Sequence, residues 1–331
     1  MELPPIFHYV HEDDIEATLE WFHEVEADMG TLLMEEGDAD PSMIVVLSGD
    51  VEISHHGLKL TTAGPGDLIG EMSLFGSGVR TAQVRSISPV SFLVLERQAY
   101  EALRDHQHPV AHAIEQQAMA TLGSRLRDTA ARFARDVKGS PINDLLGPPE
   151  SLSDRVKRFL AGFTSKESAA IGSPVDVLAR SPLFSGAPVP VLEVIASAMR
   201  ELSCNKGEQL CAQGELGSEM FVLASGAVEV VVTAQGVGAE GENVEHLASL
   251  QPGDAFGMVS LHLDLPRMAT CVCSRPSRVL ALDRPNWLQL TGRGDVVGSW
   301  LRTAMIRALA DAVATTSARL AALDVHRRQS W

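Results

Sequence analysis

The sequence predicts an α+β protein of two tandem β-roll (jelly-roll) domains, each flanked by short helices and ending in a longer C-terminal helix. Three observations carry that expectation. First, the chain repeats itself: Gly30, Gly37, Met43, Ser48, Gly49, Val51 and Glu52 return 177 positions later as Gly207, Gly214, Met220, Ser225, Gly226, Val228 and Glu229. Pro65-Gly66-Asp67, Gly70, Ser73, Leu74, Arg80 and Ala82 return 187 positions later as Pro252-Gly253-Asp254, Gly257, Ser260, Leu261, Arg267 and Ala269. Self-similarity at a fixed spacing marks a duplicated structural unit. Second, short Val-, Ile- and Leu-rich runs alternate with turn residues inside each copy, as in sandwiches and jelly rolls. Third, each copy is followed by sequence of helical period.

In chain order, the first copy places strands at 43–47, 51–54, 82–86 and 91–96, and the second at 220–223, 228–232, 270–273 and 278–281. The ten-residue change of offset sits in one hairpin. The tight turn at His56-Gly57 becomes a Gly-rich loop from Gln235 to Glu245, and hairpin tips tolerate such insertions. A short helix is expected at 97–104 and a longer one from Pro109 to about 136, with Val110, Ile114, Leu122, Leu126, Ala130 and Phe133 on one stripe. The second copy repeats the pattern with 285–290 and 295–323, the latter carrying Trp300, Leu301, Ile306, Leu309, Val313, Leu320 and Leu323. Between the copies, 138–149 is a Gly/Pro-rich linker. A helix follows at 151–163 with Arg155, Lys157 and Arg158, and the entry helix of the second copy lies within 179–202. The expected domains are therefore 1–138, a linker with a short helix at 139–178, and 179–331.

Composition narrows the function classes. The chain has 331 residues, 27 Lys and Arg against 43 Asp and Glu, and a formal net charge of −16. An acidic surface opposes phosphate-backbone contacts, so no nucleic-acid partner is expected. The N-terminal stretch lacks a basic n-region and an apolar h-region, and no uncharged run reaches the ~18 residues of a membrane span. A cytoplasmic protein is the expectation, with Cys204, Cys211, Cys271 and Cys273 as reduced, buried thiols. His106, His108 and His112 form the one close set of three histidines, but Pro109 biases His108 out of helical geometry, so no metal is expected there. No hydrolase, kinase, Walker or zinc-protease motif is found, and the chain is expected not to be an enzyme.

The segment from Gly64 to Ser86 combines a Gly-rich turn, one acid (Glu71) and, nine residues later, Arg80-Thr81-Ala82. Glycines let the backbone approach an anion, an Arg fork grips phosphate oxygens, and a carboxylate suits sugar hydroxyls. Taken alone, the string also fits a solvated Glu–Arg pair beside a turn.

This pattern resembles the phosphate-binding cassette of cyclic-nucleotide-binding domains, the superfamily of catabolite activator proteins and protein kinase A regulatory subunits. The resemblance implies a β-roll fold and a ligand site made of Gly70, Glu71, Met72, Ser73, Leu74, Arg80, Thr81 and Ala82. In it, Glu71 meets the ribose 2′-hydroxyl and Arg80 the cyclic phosphate. Thr81 is compatible with either cyclic AMP or cyclic GMP. The second copy departs from the pattern: Gly257, Arg267 and Ala269 remain, but Met258 replaces the acid and Met268 the threonine. A thioether cannot replace a charged acceptor, which leaves a degenerate pocket or one for a different anion.

A helix-turn-helix, as catabolite activators carry, has no room after the last helix. The end of the chain, Arg327-Arg328-Gln329-Ser330, reads as a basophilic kinase site. The expected function is a non-enzymatic sensor that binds a cyclic nucleotide in its first domain and relays it to a protein partner or through a homo-oligomer. The alternative is a scaffold protein that uses both rolls for contacts and binds no nucleotide.

Overall fold

A computed structural model describes residues 3–136, 172–235 and 242–329. The linker 138–149, the basic helix expected at 151–163 and Ser330 lie outside the described residues, as does the tip of the long hairpin in the second copy. The chain divides into two compact units: residues 1–127 with 294–331, and residues 128–293.

In the first unit, β1 (His23–Ala27), β8 (Val90–Glu96), β3 (Ser42–Ser48) and β6 (Leu68–Ile69) form one antiparallel sheet. Its mate is built from β2 (Leu32–Met34), β7 (Gln83–Ser86), β4 (Val51–His55) and β5 (Leu58–Ala63). Alternation along the strands fills the space between them: Ile44 and Val46 of β3 meet Val51 and Ile53 of β4, Val84 of β7 and Phe92 of β8 in one buried cluster. Met43 and Val45 point the opposite way yet are also fully buried, because the short helix α2 (Glu71–Phe75) packs on β3.

The second unit repeats this plan. Its sheets run β9 (Arg200–Cys204), β16 (Ser277–Asp283), β11 (Glu219–Ser225), β14 (Ala255–Phe256), and β10 (Gln209–Cys211), β15 (Thr270–Cys273), β12 (Val228–Gln235), β13 (Glu242–Leu250). Even the irregularities recur. The β3–β8 ladder slips between Val46 and Ser48, and the β11–β16 ladder between the equivalent Leu223 and Ser225. Each slip is followed by a left-handed glycine, Gly49 at φ +80° and Gly226 at φ +99°. An added Cβ would lie 2.1 Å from Pro89 O in one copy and from Ser277 Oγ in the other. The repeat in sequence is thus a repeat in backbone geometry.

The expected strands all form: six are longer than expected by one to three residues, 270–273 is unchanged, and the strand expected at 82–86 starts one residue later, at Gln83. Strands β1, β2, β5 and β6 had no counterpart in the sequence reading, because they are short or, like His-Glu-Val-Glu-Ala, mostly exposed and charged. The single entry helix expected within 179–202 is broken. Proline starts divide it into α5 (Pro174–Arg180) and α6 (Val189–Ser197), and Leu202 already lies on β9.

The helices of the first unit are α1 (Ile15–Leu19), α3 (Arg97–Asp105), residues 109–127 of α4 (Pro109–Asp136) and the last helix of the chain, α9 (Val296–Gln329); the second unit adds α7 (Met258–Leu263) and α8 (Arg284–Thr291). Helix α9 follows the second roll in sequence and was expected to belong to it, but it clusters with residues 1–127. The reason is a buried polar knot. Glu115 of α4 accepts from Arg302 Nε at 2.7 Å, from Ser299 Oγ at 2.5 Å and from Tyr100 OH at 2.8 Å. Both Glu115 and Arg302 are 1% exposed. Around it Val110, Ile114, Leu122 and Leu126 of α4 and Leu301, Ile306, Leu309 and Val313 of α9 are buried, the helical stripes read from the sequence. Arg307 Nε also donates to Phe75 O at 3.0 Å, which ties α9 to the end of α2.

Candidate functional site

The cassette of the first unit is built on two glycine-dependent events. Gly70 closes β6 in the left-handed region (φ +93°) and caps α2, so the chain reverses within one residue and buries Glu71 to 1% exposure. An added Cβ at Gly70 would sit 2.4 Å from Arg80 Nη1 and 2.9 Å from Ser42 O. Gly70→Ala is therefore expected to destabilise the first unit by about 2 kcal/mol or more, combining left-handed strain with overpacking. Urea denaturation of the full chain reads this directly.

Arg80 is 4% exposed and fully engaged with the protein at its terminal nitrogens. Nη1 donates to Ser42 O at 2.6 Å, and Nη2 to Asp40 Oδ2 and Ser42 Oγ, both at 2.7 Å; Nε is buried without a partner. Partial burial pushes the Asp40 carboxyl upward, but the hydrogen bonds from Arg80 and Ser42 and the Arg80 charge outweigh it and hold it below the ordinary value.

Glu71 is paired elsewhere. Its Oε1 accepts from Arg125 Nη1 of α4 at 2.5 Å, while Oε2 is buried and accepts nothing. The joint role expected for Glu71 and Arg80 thus has a different geometry: each carries its own ion partner, Arg125 and Asp40. Arg125 is not legible as a site residue in the sequence, because it lies 54 residues from Glu71 on a helix marked chiefly by its apolar stripe. Its one available signal was a basic residue placed next to that stripe.

The other expected residues divide between wall and scaffold. Ser73 Oγ donates to Asp40 O, its carbonyl accepts from Arg97 Nη2, and Leu74 is 3% exposed, so both fasten α2 to the roll. Exposed Thr81 donates to Met72 Sδ at 3.5 Å, and Ala82 packs on the inner cluster. Gly70, Glu71, Met72, Ser73, Arg80, Thr81, Ala82 and Arg125 line one cavity of about 30 Å³. That is roughly a tenth of the lower bound for a small-molecule pocket. A larger depression of about 760 Å³ opens between the N-terminal segment at Pro5–Tyr9 and α4 at His112–Gln117, away from the cassette.

In the second copy, Gly257 again starts a helix in the left-handed region, and Arg267 donates Nη1 to Gly257 O at 2.7 Å and Nη2 to Glu219 O of the facing strand at 2.5 Å. Glu219 is the counterpart of Ser42, so this arginine-to-carbonyl bond is common to both rolls. Met258 is buried where Glu71 stands and Met268 is half exposed, while Ala269 offers its carbonyl to Cys211 Sγ. Cys211 and Cys271, direct partners across β10 and β15, take the places of Met34 and Val84 that line the first cavity. All four thiols are free and buried; burial raises Cys204 and pushes Cys273 up to about 12.

The family model for the cyclic nucleotide-binding domain matches twice, at residues 24–107 and 201–293. The chain is 24% identical over 288 residues to a cAMP-dependent protein kinase regulatory subunit of Yarrowia lipolytica, covering 87% of this chain and 59% of that protein. It is 23% identical over 276 residues to the cGMP-dependent protein kinase egl-4 of Caenorhabditis briggsae, covering 83% of this chain and 28% of that one. The chain thus spans less than two thirds of the length of either relative. Among solved structures, the regulatory domain of Toxoplasma gondii PKA with cAMP matches with 20% identity and a TM-score of 0.32, covering 87% of both chains.

Proposed function

The chain belongs to the cyclic nucleotide-binding domain family, with two such domains in tandem, and on that footing we propose that it is a non-enzymatic regulatory protein whose first domain alone takes the nucleotide. The observation that carries this reading is the buried Glu71 carboxylate. One of its oxygens is held by Arg125 and the other is left without a hydrogen bond at the wall of the cassette cavity. A buried acceptor without a donor costs about 1–3 kcal/mol, and a sugar hydroxyl supplies the donor it lacks. The second copy has Met258 at that place and offers no such acceptor.

The cavity is too small for a nucleotide while Arg125 lines it, so binding draws Arg125 outward and with it the part of α4 that carries it. Ligand then shifts a population of α4 positions, and a protein partner that contacts α4 reads the shift. No helix among the described residues is long and apolar enough to cross a membrane, and the protein acts on this reading in the cytoplasm.

Isothermal titration of the full chain with cyclic AMP and with cyclic GMP tests the proposal. One equivalent is expected to bind, and Arg125→Ala is expected to tighten it about two- to fivefold by removing the competing cation. Absence of binding by both proteins would overturn the sensor reading in favour of a scaffold, for which the matched structural roles of Arg80 and Arg267 would then be the explanation.

A further inference from the structure

We propose that the first roll carries a divalent metal site for a borderline d-block cation such as Zn²⁺, made by Glu36, His55 and His56. The site goes beyond the nucleotide reading and does not depend on it. Glu36 lies between β2 and β3, and the two histidines form the end of β4 and the start of its turn into β5. Their ligand atoms converge: His55 Nδ1 is 3.1 Å and His56 Nδ1 2.8 Å from Glu36 Oε1, and all three atoms lie within 4.8 Å of one another.

Adjacent residues on a strand normally point to opposite faces. Here they do not, because His56 adopts the left-handed region at φ +50° and folds its ring back onto His55, with centroids 4.1 Å apart and planes 29° from parallel. A non-glycine residue in that conformation costs about 1–2 kcal/mol, and such strain collects at functional positions. Two further details point to a ligand. His55 Nδ1 is buried with no hydrogen bond even though Oε1 is 3.1 Å away. Glu36 Oε2 is held by the His56 backbone N–H at 2.9 Å, which orients the carboxylate and leaves Oε1 for another partner, as a supporting shell does around a metal.

Two imidazoles and one carboxylate are a zinc ligand set of the kind that keeps a fourth position for water. Tetrahedral bonds of about 2.0–2.2 Å place ligands roughly 3.3 Å apart, so the cluster needs to open by a few tenths of an ångström. His56 is 71% exposed at its side chain, which supplies the entry path and the water. The second copy has Gln213, Val232 and Thr233 at these places, so the site is confined to the first roll. It is also wired to the cassette: Gly37, the residue after Glu36, donates its N–H to Arg80 O at 2.9 Å, so a bound ion fastens the β4–β5 hairpin to the segment that carries Arg80.

The test is calorimetric titration of the untagged full chain with Zn²⁺, paired with the absorption spectrum of the Co²⁺ form. Expected are one bound equivalent, a Co²⁺ spectrum without thiolate charge-transfer bands, and affinity at least tenfold weaker in Glu36→Gln and in His56→Gly. Glycine accepts the left-handed turn at no cost and glutamine still offers an oxygen to the His56 N–H. Both variants are therefore expected to melt no lower than the metal-free parent. No uptake by the parent, isotherms in the variants that superimpose on it, or thiolate bands from the buried cysteines would each overturn the proposal.

Discussion

Arg302→Ala is expected to destabilise the first unit by about 3–5 kcal/mol, the largest effect of any single substitution considered for this chain. Arg302 and Glu115 are each 1% exposed and meet at 2.7 Å. Removing the guanidinium leaves a carboxylate sealed from water with only two hydroxyl donors, Tyr100 and Ser299. The Tyr100 hydroxyl titrates well above its ordinary value because it is buried and faces the Glu115 charge, so it stays a neutral donor and supplies no counter-charge. Arg302→Ala with Glu115→Leu removes both charges and is expected to recover most of the loss, since a buried pair replaced by apolar groups is close to neutral. Denaturant unfolding followed at equilibrium checks both. A loss below about 1 kcal/mol in the single variant would mean that α9 does not depend on this knot for its place in the first unit.

That knot also explains what sequence reasoning reached and what it did not. Repetition at 177 and 187 positions exposed both rolls, because a duplicated backbone needs the same glycines at the same slips, as at Gly49 and Gly226. Strands such as β3 were readable because their buried residues are apolar in succession. The assignment of α9 was not readable. Its apolar stripe says that it is buried and not against what, and the deciding contact joins residues 115 and 302. The same limit applies at the site. The cassette residues were expected from their resemblance to a family motif, yet a motif could not reveal that Arg80 spends its terminal nitrogens on Asp40 and Ser42, nor that Glu71 faces Arg125. Arg267 carries the correction furthest. It keeps the bond to the facing strand in a copy that has lost the acid, so survival of the arginine in both copies reflects the roll's construction.

Glu71→Gln is expected to weaken cyclic-nucleotide binding about ten- to a hundredfold while leaving the fold intact. A hydrogen bond to a charged acceptor is worth about 1.5–3 kcal/mol, and that difference is the stated factor. Two effects oppose each other here. Losing the carboxylate also releases Arg125, whose pairing with Glu71 competes with ligand. Arg125 is 28% exposed at its side chain, so water solvates it once released and the competition amounts to about 1 kcal/mol or less. The lost charge on the acceptor therefore wins, and the net change is weaker binding. Because Arg125 acts through Glu71, its removal should tighten binding only when the acid is present. In the double variant Glu71→Gln with Arg125→Ala, affinity is expected to match that of Glu71→Gln alone, a non-additivity of the size seen for residues in direct contact. Titration of the four proteins with one nucleotide closes the cycle. If the effects simply add, Arg125 governs access to the cavity by its bulk rather than by its charge, and the coupling between ligand and α4 runs through volume instead of through the ion pair.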